Sequence, residues 1–140
     1  MFKKLILILT VLFLIVVYYY TVFGREPLPE PRICLVPFQT IKDIQQYPYI
    51  SHGQYILREV ILNIILLMPL GFLLTCLRWH FLLVTLIGFL CSLSIEVLQY
   101  YTCTGTFEVD DLIYNTSGVL IVSVIVTLLM KLRRYAEMQN

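Results

Sequence analysis

Four apolar runs of about twenty residues each constrain this chain more than any other feature. They are Leu5–Phe23, Val60–Leu77, Phe81–Tyr101 and Asp111–Met130, with polar segments between them. At 1.5 Å per residue, a helix of that length crosses the roughly 30 Å hydrocarbon core of a bilayer. Composition points the same way: 59% of the 140 residues are apolar and only 14% are charged, against about 25% charged in a typical soluble domain. Mean hydropathy is +0.84. The expectation is a single all-α domain over residues 1–140, a multi-pass protein of the cell membrane with four transmembrane helices and the lipid bilayer as its first partner. The net charge of +1 leaves no broad electrostatic footprint for nucleic acid.

The first run exceeds the 7–15 apolar residues usual in a signal peptide, and no A-x-A-like cleavage site follows it. It leaves the membrane through Tyr18-Tyr19-Tyr20, an aromatic belt of the interfacial kind, so it is expected to be an anchor helix. The long loop, residues 24–59, carries Pro27, Pro29, Pro31, Pro37 and Pro48, which rule out a long regular helix. Its first part is expected to be extended, and Thr40–Gln46 to form a short amphipathic helix at the interface. In the second run Pro69 and Gly71 predict a kink near Met68-Pro69. Arg78-Trp79-His80 then leaves room only for a helical hairpin into the third run. Basic residues beside the spans set orientation. Lys3, Lys4, Arg78, Lys131, Arg133 and Arg134 on one side outnumber Arg25, Arg32, Lys42 and Arg58 on the other. Both termini are therefore expected to be cytoplasmic and the long loop extracellular.

The stretch Ser94–Gly118, SIEVLQYYTCTGTFEVDDLIYNTSG, carries polar groups that membrane spans normally exclude. A charge at the bilayer centre costs roughly 2.5–3.5 kcal/mol on insertion scales. Glu96 and Gln99, three residues apart, share a helix face, as do Asp111 and Asn115, four apart. With Arg58 and Asn63 at the start of the second run, these six residues are expected to meet at one level in the outer leaflet, Glu96 deepest. Glu96 is the sharpest functional candidate; either Arg58 pairs with it or its carboxyl is protonated. Asn63, Gln99 and Asn115 have a plainer reading as interhelical hydrogen-bond partners, and Asp111 as a helix N-cap.

The residues carry no catalytic or metal signature. No DxD-type or histidine-bearing ligand spacing is present, no cofactor is indicated, and Ser92, Ser94 and Ser117 have no base nearby in the sequence. Glu96, Glu108, Asp110 and Asp111 could hold a hard cation only if the fold gathered them. The four cysteines lack a C-x-x-C pair. Cys76 and Cys91 read as packing residues, whereas Cys34 and Cys103 share the outer side, where a disulfide depends on a separation that the sequence leaves open.

These residues also carry a resemblance. CLVPFQTI (Cys34–Ile41), REVILNIILLMPLGFLL (Arg58–Leu74), SIEVLQY (Ser94–Tyr100) and TGTFEVDDLIYNTSG (Thr104–Gly118) occur in the order and spacing of the VanZ-like family of small bacterial membrane proteins. The chain resembles that family over roughly residues 33–125. Glu96, Gln99, Asp111 and Asn115 fall on the family pattern. Thr106 stands where many members have arginine, and Cys34 where asparagine is common. Gly118-Val119 replaces a glycine pair, which is expected to loosen helix packing. The resemblance implies a multi-pass plasma-membrane protein and, by association, low-level resistance to teicoplanin-type lipoglycopeptides; it implies no known reaction.

The leading expectation is a pocket that binds an envelope amphiphile, either a lipid-linked cell-wall component or a lipoglycopeptide. Glu96 and Asp111 would contact its head group or hold Arg58, oriented by Asn63, Gln99 and Asn115. An intramembrane enzyme acting on an envelope lipid is the alternative. A non-catalytic accessory subunit, whose polar residues only join helices, is the second alternative.

Overall fold

A computed structural model describes residues 1–46 and 51–139; Pro48 lies outside them. The elements in order are α1 (Phe2–Tyr18), continued by a π-helical turn (Tyr19–Phe23), β1 (Arg32–Cys34), α2 (Gln39–Gln46), α3 (Ser51–Leu66), α4 (Met68–Cys76), α5 (Phe81–Thr102), β2 (Thr106–Glu108) and α6 (Val109–Gln139). Among the described residues four helices are long and apolar enough to cross a membrane: Phe2–Phe23, Leu57–Cys76, Phe81–Thr102 and Val109–Gln139. The chain is a polytopic membrane protein of the all-α class. Successive spans alternate in direction, so the termini and the Arg78–His80 turn share one end of the bundle. The long loop and the α5–α6 connection share the other.

The second span is the broken one. Its helix is interrupted at Leu67, which has φ −101° and ψ 3°, and restarts with Pro69 in the first turn of α4. Proline lacks an N–H and is best tolerated in a helix's first turn, so the kink falls beside the predicted Met68-Pro69. Arg78, in the left-handed region at φ 66°, closes the hairpin, and His80 caps α5 by accepting from the Leu82 N–H at 3.3 Å.

Most large apolar side chains face outward, among them Ile8, Leu12, Leu62, Leu86 and Leu128. Lipid tails are as apolar as leucine, so helix association rests on close packing and hydrogen bonds rather than on burying hydrocarbon. The bundle centre is accordingly small and polar: Ser92, Thr75 and Ser123 are fully buried beside Val84 and Val119. α6 is the hub, packing on α3, α4 and α5, while α1 packs on α4. A Cβ at Gly118 would run into the Ile64 carbonyl oxygen, so α3 and α6 approach backbone to backbone there. Val119 corrects the expectation of loose packing. It is 0% exposed, and a Cβ at Gly71 or Gly88 would lie 3.2 or 2.8 Å from its Cγ1. Its bulk is matched by space left by glycines on α4 and α5.

The loop end contains a feature that the all-α expectation missed. β1 and β2 pair in parallel, with Arg32 opposite Thr106, Ile33 opposite Phe107 and Cys34 opposite Glu108. This joins the extended part of the long loop to the α5–α6 connection, and the Leu28 N–H adds a bond to the Cys103 carbonyl. The short helix expected at Thr40–Gln46 is α2. Cys34 and Cys103 are free thiols.

Candidate functional site

At the loop end of the bundle a cavity of about 580 Å³ opens between the spans and the loop. Its floor comes from α3, α5 and α6 through Asn63, Gln99 and Asp111. Its walls include Arg25 and Leu28 from the loop after α1, Thr40 of α2, Arg58 and Glu59 of α3, and Thr104–Thr106 with Glu108 from the α5–α6 connection. Four of the six sequence candidates, Arg58, Asn63, Gln99 and Asp111, therefore line one cavity.

Glu96 and Asn115 do not line it. Glu96 is 2% exposed and lies behind the wall, where its Oε2 accepts from the Glu108 N–H at 2.9 Å. The expected ion pair with Arg58 is not formed. Arg58 is solvent-exposed, and the one salt bridge among the described residues joins Arg133 to Glu137. The reason is geometric: Glu96 points at the backbone of β2, one residue before α6, and so positions the strand that carries Glu108 into the cavity. Asn115 is equally buried; its Nδ2 donates to Ser92 Oγ at 3.1 Å, tying α6 to α5.

The other polar candidates also join helices. Asn63 Nδ2 donates to Asp111 Oδ1 across α3 and α6. Gln99 Nε2 donates to the Thr21 carbonyl at 2.8 Å, one of the carbonyls that the end of α1 leaves without a helical partner. Asp111 is in the first turn of α6, where the helix dipole favours an acid, but its bond is to Asn63 and not to its own backbone.

Asp110 was not among the sequence candidates, and it organises the loop. It is 3% exposed, accepts from the Phe38 N–H at 2.5 Å and the Thr40 N–H at 3.0 Å, and takes the Thr40 hydroxyl at 2.6 Å. The Phe38 N–H lies just before α2 and the Thr40 N–H in its first turn, a helix start that a carboxylate satisfies well. Phe38 adopts φ 59°, a strained value for a bulky side chain, and the Asp110 bond holds it there. The PFQT piece of the long loop is thereby fastened to the VDD piece that starts α6. The sequence offered Asp110 only as a possible cation ligand, and the start of α2 lies too far from it along the chain to be matched by pattern.

Arg25 and Glu59 are further lining residues that the sequence left without a site role, and Glu108, weighed there only as a possible cation ligand, lines the cavity as well. The charge on Arg25 acts on both Glu96 and Asp111. Burial, followed by the charges on Glu59, Asp110 and Asp43, pushes the Glu108 carboxyl up from the usual 4.5. Among the described residues no group of three His, Cys, Asp or Glu side chains is arranged to hold a metal ion.

The VanZ/LLP1 family model matches residues 5–130. No curated protein matches the chain, and no solved structure does. The four sequence pieces that line or brace the cavity all fall inside the matched span, which covers every transmembrane helix but its extremities; the chain belongs to the VanZ/LLP1 family.

Proposed function

We propose that the protein binds an envelope amphiphile in this cavity from the outer leaflet and so lowers the exposure of the cell surface to lipid-tailed glycopeptides of the teicoplanin type. The termini then lie in the cytoplasm and the cavity faces outward, as the distribution of basic residues favours. One observation carries the reading: a cavity of head-group size, lined by Arg25, Arg58, Asn63, Gln99, Glu108 and Asp111, lies at the end of four lipid-facing helices. Ligand sites of this size pair a few placed polar groups with apolar walls; here Leu28, Val60 and Leu62 contribute the apolar part. The ligand is a lipid-linked wall component or the lipoglycopeptide itself.

The test is teicoplanin susceptibility of a host expressing the wild type, Arg58→Gln, Asp111→Asn or Glu96→Gln, with membrane abundance measured in each. Loss of protection in the two lining variants at normal abundance is the expected result. Unchanged protection in both would remove the cavity from the function. Lower abundance in step with protection would instead assign these residues to helix association. A wild type that protects no host would detach teicoplanin from this chain.

A further inference from the structure

The cavity is divided in charge without being neutralised. Arg25 and Arg58 line it together with Glu59, Glu108 and Asp111. Among the described residues neither arginine is in an ion pair, the sole salt bridge being Arg133–Glu137 at the far end of α6. Asp111 accepts from Asn63; the carboxyl groups of Glu59 and Glu108 and both guanidinium groups have no hydrogen-bond partner among the described residues. Opposite charges thus face one space without a direct ion pair among the described residues.

A simple anion would meet the arginines and be opposed by three acids. A simple organic cation would have the reverse problem. A divalent metal would need the acids to converge, and no such group exists among the described residues. A zwitterion meets both sets. Guanidinium matches a phosphate with paired N–H donors in a fixed plane, and a primary ammonium offers three N–H donors to separated carboxylates.

We infer that the cavity recognises a zwitterionic head group, a phosphate diester bearing a primary amine, with the phosphate at Arg25 and Arg58 and the ammonium at Glu59, Glu108 and Asp111. This rests on the amphiphile-binding reading above and names its ligand class. The same chemistry occurs in an aminoethyl phospholipid and in its water-soluble deacylated form, and Leu28, Val60 and Leu62 beside the charged groups favour the acylated one. Glu108 adds a pH dependence. Its carboxyl is faced by Asp43 of α2, Arg58 and Glu59 of α3, Glu96 of α5, Asp110 and Asp111 of α6, and Arg25, and burial with the charges on Glu59, Asp110 and Asp43 pushes its pKa up from the ordinary carboxyl value. Only the ionised form pairs with an ammonium, so affinity rises with pH through the range above 4.5.

The experiment titrates the full-length protein in detergent with short-chain phosphatidylethanolamine, phosphatidylglycerol and phosphatidylcholine, and with glycerophosphoethanolamine, by calorimetry. The amine lipid is expected to bind about ten-fold more tightly than phosphatidylglycerol or phosphatidylcholine, a difference of roughly 1.4 kcal/mol, and more tightly than the deacylated compound. Arg58→Gln weakens all the lipids alike. Glu108→Gln removes the preference for the amine and its pH dependence. Glu59→Gln, at an exposed position, reduces that preference without depending on the fold tolerating a change at Glu108. Equal binding of amine and glycerol head groups, or a preference for phosphatidylglycerol, would overturn the inference and leave the amphiphile reading standing. Binding of the deacylated compound as tightly as the lipid would overturn the amphiphile reading and leave the head-group inference standing, and binding of nothing would overturn both.

Discussion

Asp110 and Glu108 are neighbours with different chemistry because their surroundings differ. Asp110 is buried and accepts three hydrogen bonds from Phe38 and Thr40. Bonds to a charged acceptor contribute about 1.5–3 kcal/mol each, and not additively. Asp110→Ala is expected to cost roughly 2–4 kcal/mol and to release the α2 segment, read as a lower Tm in detergent and faster proteolysis within residues 24–46. Asp110→Asn keeps one acceptor oxygen but sets an NH2 donor against the N–H at the other position, so it should lose part of the stability and not all of it. Glu108 is half-buried, and its carboxyl titrates above the usual range because of burial and the charges on Glu59, Asp110 and Asp43. The folded state therefore prefers its protonated form more than the unfolded chain does. That contribution is present below the ordinary value of 4.5 and is lost as pH rises through the higher folded-state value. Tm should fall with rising pH across that window, and the slope should flatten in Glu108→Gln.

Among the elements, α6 carries most of the interhelical packing, and its tightest contact is the meeting of Gly118 with the Ile64 backbone. Gly118→Ala forces α3 and α6 apart, because the obstacle is backbone and cannot rotate away. A loss of roughly 1–3 kcal/mol is expected, seen as reduced Tm and membrane abundance. Val119→Ala opens the opposite defect, a void between Gly71 and Gly88, at a cost of roughly 1–3 kcal/mol. A double variant, Gly88→Ala with Val119→Ala, should recover part of the loss, since the nearest atoms to a methyl at Gly88 all belong to the Val119 side chain. Full additivity of the two changes, measured by Tm, would refute this packing account.

For the whole molecule, the four spans bring both termini to one end and the cavity to the other. α6, at 31 residues, is about 46 Å long at 1.5 Å per residue and outlasts a roughly 30 Å core. Its charged end, from Lys131 onward, accordingly lies beyond the apolar span. In a cysteine-free background, Glu30→Cys is expected to react with a membrane-impermeant maleimide in intact cells, and Met138→Cys only after lysis. The opposite pattern would invert the proposed orientation and turn the cavity toward the cytoplasm.

The membrane class, the number of spans and the break beside Pro69 were legible in the sequence because each follows from local chemistry: run length against bilayer thickness, and a missing N–H within a helix. The polar candidates were legible as exceptions to lipid solubility, and Arg58, Asn63, Gln99 and Asp111 do meet at one cavity. Their partners were not legible. Whether Glu96 turns to Arg58 or to the Glu108 backbone depends on where β2 lies, and β2 is placed by its parallel pairing with β1 from a distant part of the chain. The bond network at Asp110, the fit of Val119 to two glycines on other helices, and the entry of Arg25 into the cavity likewise depend on distances between segments far apart along the chain. Hydropathy says which residues leave water; only the tertiary structure decides which of them face each other.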